Sequence, residues 1–256
     1  MKTRIVRNLF SEIRAVRILG FLPLFLAFAS SALAGPLETE AAALRAKCLA
    51  NAAKLDSLSL VTSVTIQPLS AKGVPTAVAR QGRDKAVWSK SKGKLKYSKV
   101  DGAPLSYVAD SKALTLTTVA ESGTVWTESV TADQAEALGT PFPAWLWGPG
   151  GLIPAAPAEV RADSSCLVFV SNLKSPRREV WLDRTTGCVS RFTETDATGR
   201  VFRTVTCSDW IRQDGVWMPG TVDEVIQAAR NGVHRVIRFE IRVANPPVSD
   251  SDFRLP

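Results

Sequence analysis

An α+β fold built from one N-terminal helix and a long antiparallel meander is predicted by three observations. Apolar residues first recur every three or four positions, at Leu37, Ala41, Leu44, Cys48, Ala52 and Leu55. From Leu58 the period changes to two, with Leu58, Leu60, Val64 and Ile66 on one side and Ser59, Ser63 and Thr65 on the other. Thereafter short strand-like runs alternate with turn residues at regular spacing, which favours antiparallel neighbours.

The residues before the helix read as an export signal. Lys2, Arg4, Arg7, Arg14 and Arg17 precede the apolar run Ile18 to Phe28, and Ala32-Leu33-Ala34 supplies a small-residue cleavage site. Eleven apolar residues interrupted by Pro23 are too few to span a bilayer, which needs about 20. Residues 1–34 are therefore expected to be a signal peptide cut after Ala34, leaving a single domain over 35–256. The whole chain of 256 residues has 32 Lys plus Arg against 24 Asp plus Glu, a formal +8. Half of that excess lies in the signal, so nucleic acid is not an expected partner.

Helix Leu37 to Leu55 is followed by the strand Leu58 to Ile66. Further strands are expected around Lys85–Lys90, Lys94–Val100, Leu105–Ala109, Ala113–Val119 and Thr124–Val130, separated at Asp101-Gly102, Asp110-Ser-Lys112 and Glu121-Ser-Gly123. The pattern then breaks. Thr131 is a helix-capping residue and Gly139 a helix stop, so 131–138 reads as a short helix. Pro141 to Pro154 combines Trp145, Leu146 and Trp147 with four prolines and three glycines, which excludes a regular helix or a central strand. It is expected to be a mobile lid over the cavity, an exposed apolar tip that meets a membrane or partner, or a static plug over one barrel end. Hairpins then resume over Glu159–Val170, Glu179–Leu182, Gly187–Thr195, Arg200–Ile211, Val216–Ala229 and Val233–Val243. Asn231-Gly232 is the strongest two-residue turn signal among them.

Cys48, Cys166, Cys188 and Cys207 lack C-x-x-C spacing, so zinc and thioredoxin-type chemistry are not expected, whereas an exported chain can form disulfides. If Thr195 opposes Arg200 across the turn Asp196-Ala-Thr-Gly199, Cys188 faces Cys207. A Cys188–Cys207 disulfide is the expected pairing. Cys48 and Cys166 would then pair with each other or remain buried thiols.

Catalytic chemistry has little footing. The single histidine, His234, falls on a polar strand face with no nucleophile at a credible spacing. Gly148-Pro-Gly-Gly151 lacks the Lys-Ser/Thr of a phosphate loop, and the aspartates near 209–214 and 250–252 lack calcium-loop spacing. No enzyme, cofactor or metal is expected. The basic run Lys90, Lys92, Lys94, Lys96 and Lys99 suits edge protection of a strand or contact with anionic headgroups.

The C-terminal motifs Val180-Trp-Leu-Asp-Arg-Thr-Thr-Gly187, Asp196-Ala-Thr-Gly199, Asp214-Gly-Val-Trp-Met-Pro219 and Asn245-Pro-Pro-Val-Ser-Asp-Ser-Asp-Phe253 resemble a pattern in outer-membrane lipoprotein-sorting proteins of the LolA-like superfamily. The resemblance implies a curved antiparallel sheet, a half-open β-barrel, covered by the N-terminal helix and the helical and apolar lid segment. It also implies a periplasmic carrier or chaperone whose cavity holds acyl chains of a lipid or lipoprotein. Inner- or outer-membrane proteins would be its partners. The alternative is an envelope interaction or sensing module using the same half-barrel. The residues expected to line the cavity or lid are Leu44, Leu60, Val64, Trp88, Trp145, Leu146, Trp147, Ile237, Phe239 and Ile241; the same residues could instead form a closed core.

Overall fold

A computed structural model describes residues 35–101, 106–119, 122–138, 141, 143–227 and 232–255. The expected signal peptide lies outside them, as does Asn231 of the predicted Asn231-Gly232 turn. Helix α1 covers Pro36–Ala53 and buries Ala41, Leu44 and Cys48, the same stripe that the sequence periodicity marks. Strand β1 (Ser57–Pro68) follows, then β2 (Arg80–Ser89), β3 (Lys94–Lys99), β4 (Ser106–Asp110), β5 (Thr115–Val119) and β6 (Val125–Ser129). Helices α2 (Ala132–Leu138) and α3 (Ala144–Trp147) and a 3-10 turn at Pro149–Gly151 interrupt the strands. The Thr131 side chain accepts from the Gln134 amide while the Gln134 side chain accepts from the Thr131 amide, a reciprocal cap that starts α2.

The second half comprises β7 (Glu159–Asp163), β8 (Cys166–Val170), β9 (Arg177–Asp183), β10 (Val189–Thr195), β11 (Val201–Ser208), β12 (Ile211–Gln213), β13 (Val216–Met218), β14 (Thr221–Ile226) and β15 (Val233–Ala244). Thirteen of the strands form one open antiparallel sheet in the order β6-β5-β4-β3-β2-β1-β15-β14-β11-β10-β9-β8-β7, and β12 and β13 form a separate ribbon. The first and last strands meet in the middle, so β6 and β7 are the two edges. Segment 130–158, which joins them, runs from one edge of the sheet to the other.

Several sequence expectations need correction. Glu159–Val170 is a hairpin, because the chain reverses at Ser164, whose φ is 29°. Val216–Ala229 is two strands, split at Pro219-Gly220. The loop between β14 and β15 is longer than a two-residue turn, since Ile226 pairs with Val233.

The Cys188–Cys207 disulfide is absent: Cys48, Cys166, Cys188 and Cys207 are all free thiols. Thr195 pairs with Val201 instead of Arg200, and a bulge then places Glu194 opposite Arg203 and Phe192 opposite Val205. The register is displaced by two residues from the expected one, and Cys188 falls before the strand begins at Val189. Cys48 and Cys166 do not pair either. Leu167 and Phe169 enter the core from β8, so alternation turns Cys166 to the other face, where its sulfur lies 3.4 Å from Ser190 Oγ.

Candidate ligand-binding site

The concave face of the sheet carries the apolar residues that the sequence marks. Leu60, Trp88, Ile237 and Phe239 are buried there, Leu44 descends from α1, and Val64 is half-buried beside them. Ile241 is the exception and is 51% exposed. The register of β1 and β15 explains it: Val61 pairs with Ile241 but Thr62 with Phe239, which leaves Glu240 as an extra residue. That bulge inverts the alternation, so Ile241 turns outward while Arg242 and Ala244 take the inner positions.

The apolar face is occupied by the chain itself. Trp147 is 7% exposed and stands perpendicular to Phe239, with ring centroids 6.0 Å apart. Trp145 meets Phe192 edge-on at 5.1 Å. Leu152 and Ile153 complete the insertion, both buried, and Leu146 packs half-buried against the same core. The segment's backbone closes its own turns through the Leu146 amide to Pro143 O and the Gly148 amide to Ala144 O. One polar group is left over. Trp147 Nε1 is buried without an acceptor, a condition that costs about 1–3 kcal/mol.

At one end the apolar surface stops at a row of charges that the sequence reading missed. Arg178 on β9, Glu194 on β10 and Arg203 on β11 are directly opposed across their strands, as are Glu224 on β14 and Arg235 on β15. Arg178 Nε lies 3.0 Å from Glu194 Oε1, and Arg203 Nη1 lies 3.2 Å from Glu194 Oε2. Arg203 Nη2 is 2.7 Å from Glu224 Oε1, and Arg235 Nη1 is 3.3 Å from Glu224 Oε2. The two glutamate side chains are 7% and 4% exposed, so each is buried between two arginines and neither charge is left alone. Arg203 also stacks over Phe192 at 5.0 Å. Arg178 Nη1 donates to Gly151 O at 3.2 Å, tying the row to the crossing segment. The signal for this row was present as charged residues inside strands, but no spacing rule pairs residues so distant in sequence.

A cavity of about 170 Å³ lies farther along the polar end, lined by Val64, Arg80, Gly82, Asp84 and Lys99 among others. Gly82 opposes Val64, and the missing side chain leaves the space open. That volume is well below the roughly 300–1,000 Å³ of ordinary ligand pockets.

The remaining sequence candidates have structural roles. His234 stands between Gln67 and Asp223, at 3.3 Å and 3.1 Å. In the basic run, Lys92 and Lys94 reach Asp250, and Lys96 Nζ donates to Arg254 O, so the run clamps the C-terminal turn. Beneath α1, Lys47 Nζ donates to Thr185 O, and burial pushes the thiols of Cys48 and Cys188 up to about 12. Among the described residues there is no cluster of His, Cys, Asp or Glu able to hold a metal ion, and no helix is long and apolar enough to cross a membrane.

No family model and no curated protein matches this sequence. Solved structures do match. A DUF1329 family protein from Desulfovibrio piger superposes with a TM-score of 0.52 at 12% identity, over 86% of this chain and 98% of that one. A LolA superfamily protein from Nitrosomonas europaea gives 0.53 at 10% identity, over 87% and 99%. An outer membrane lipoprotein-sorting domain, described as putative, from Vibrio parahaemolyticus gives 0.47 at 14% identity, over 84% and 94%. At these identities the likeness is one of fold, and the open antiparallel sheet with its helix and crossing segment is a LolA-like fold.

Proposed function

We propose that this chain is an exported, periplasmic, non-enzymatic carrier that holds acyl chains of a lipid or lipoprotein on the concave face of its sheet, with segment 141–154 as the lid. The observation that carries this reading is the crossing segment itself. It is the connection between the two sheet edges, and its Trp145, Leu152 and Ile153 pack on the apolar surface that cargo would take over, with Trp147 beside them to meet the cargo. Such a segment stands in for acyl chains in the empty state. Withdrawal of those three side chains would uncover an apolar patch that requires a ligand, each buried methylene contributing roughly 0.8 kcal/mol. Gly148, Gly150 and Gly151 give the segment its hinge. Glycine's wide backbone freedom suits that role.

Export rests on the N-terminal sequence, with a cut after Ala34. The test is native mass spectrometry of the protein purified from a periplasmic extract, together with uptake of a fluorescent fatty acid. Bound lipid and a mass starting at Gly35 are the expected results; a clean apo mass with no fatty-acid uptake overturns the carrier. The second reading, an envelope interaction module, is favoured by the small size of the cavity at the polar end, and membrane-protein capture by the lipid-free form would support it.

A further inference from the structure

We propose that the indole N–H of Trp147 is the donor that recognises the carbonyl at the head of an acyl chain, so that the site takes acyl esters in preference to bare alkyl chains. This inference rests on the carrier reading above. Trp147 is 93% buried, and its Nε1 has no hydrogen-bond acceptor. Its nearest aromatic partner, Phe239, offers ring carbon and no oxygen or nitrogen. Trp181 shows the ordinary outcome in the same protein, its Nε1 donating to Asp163 Oδ2 at 3.1 Å.

No protein group accepts a hydrogen bond from this nitrogen. The carbonyls of Pro143 and Ala144, in the turn that carries Trp147, accept from the Leu146 and Gly148 amides. The core around the ring is mainly apolar, with the Thr62 hydroxyl, across the strand pair from Phe239, as its nearest recorded polar group. A hydrocarbon chain would leave the N–H as it is. An ester or amide carbonyl brings an acceptor with two lone pairs on an otherwise apolar chain, which matches both properties of the site.

The experiment compares monopalmitoylglycerol, an ester, with 1-O-hexadecylglycerol, its ether counterpart, by calorimetry on the purified exported protein. The expected result is about tenfold tighter binding of the ester by the wild type and loss of that preference in Trp147→Phe, which keeps a ring and removes the N–H. The nitrogen–proton NMR signal of the Trp147 indole in the wild type gives a measurement independent of the variant's folding. It should move downfield on ester addition and stay in place with the ether. Equal binding of ester and ether by the wild type, or a preference that survives in Trp147→Phe, overturns the inference and leaves the carrier standing. Binding of neither probe overturns both.

Discussion

Arg178 on β9 donates to the main-chain carbonyl of Gly151 at 3.2 Å while its other nitrogens hold Glu194. One side chain thus joins a buried charge row to the segment that fills the concave face. Replacing it by alanine leaves Glu194 with Arg203 alone. The expected cost is about 2 kcal/mol, less than the 3–5 kcal/mol of a fully orphaned charge. Backbone amides of 144–153 should also exchange faster with solvent deuterium, whereas unchanged exchange would show that the apolar contacts alone hold the segment.

Phe239 and Ile241 lie two residues apart on β15 yet on opposite faces. Phe239→Ala should cost about 3–4 kcal/mol in denaturant unfolding, and Ile241→Ala less than about 0.5 kcal/mol. Comparable costs would contradict the bulge at Glu240.

The Trp145 and Phe192 rings touch edge-to-face where the crossing segment meets the sheet. A double-mutant cycle to leucine should yield a coupling of about 0.5–1.5 kcal/mol. A value of zero in apo protein would place Trp145 off the sheet in solution.

Thiol chemistry should separate the cysteines by burial. At pH 8 a thiol reagent is expected to modify Cys166 first, since it is half-exposed, and to reach Cys48, Cys188 and Cys207 only after unfolding. Burial raises the folded pKa of Cys48 and Cys188 from 9.0 to about 12. A raised folded value means that the unfolded chain loses its protons first, so the contribution is complete below pH 9 and is lost between about pH 9 and 12. Urea midpoints should fall across that window, and replacing Cys188 with alanine should flatten the fall.

Much of this molecule was legible in the order of its residues. Leu44 and Cys48 at helical spacing, and Leu58 to Val64 at strand spacing, mark their buried faces because period alone decides which side chains share a side. The Trp-rich segment announced itself through prolines and glycines next to large apolar groups. Register was less legible. A one-residue insertion at Glu240 reversed Ile241, and the bulge in the β10–β11 hairpin displaced Cys188 from Cys207, because alternation carries no memory across a bulge.

The sequence by itself determined the class of fold, the helix, most of the strands and the apolar character of the crossing segment, all consequences of local period and turn chemistry. Only the tertiary structure decided that β1 and β15 pair at the centre of the sheet and that β6 and β7 become its edges. From that pairing followed the path of segment 130–158 across the concave face. It also aligned Arg178, Glu194, Arg203, Glu224 and Arg235 from five strands into one row. The physical reason is that strand neighbours distant in the chain are chosen by the total burial and hydrogen bonding of the whole sheet, a quantity no local window contains.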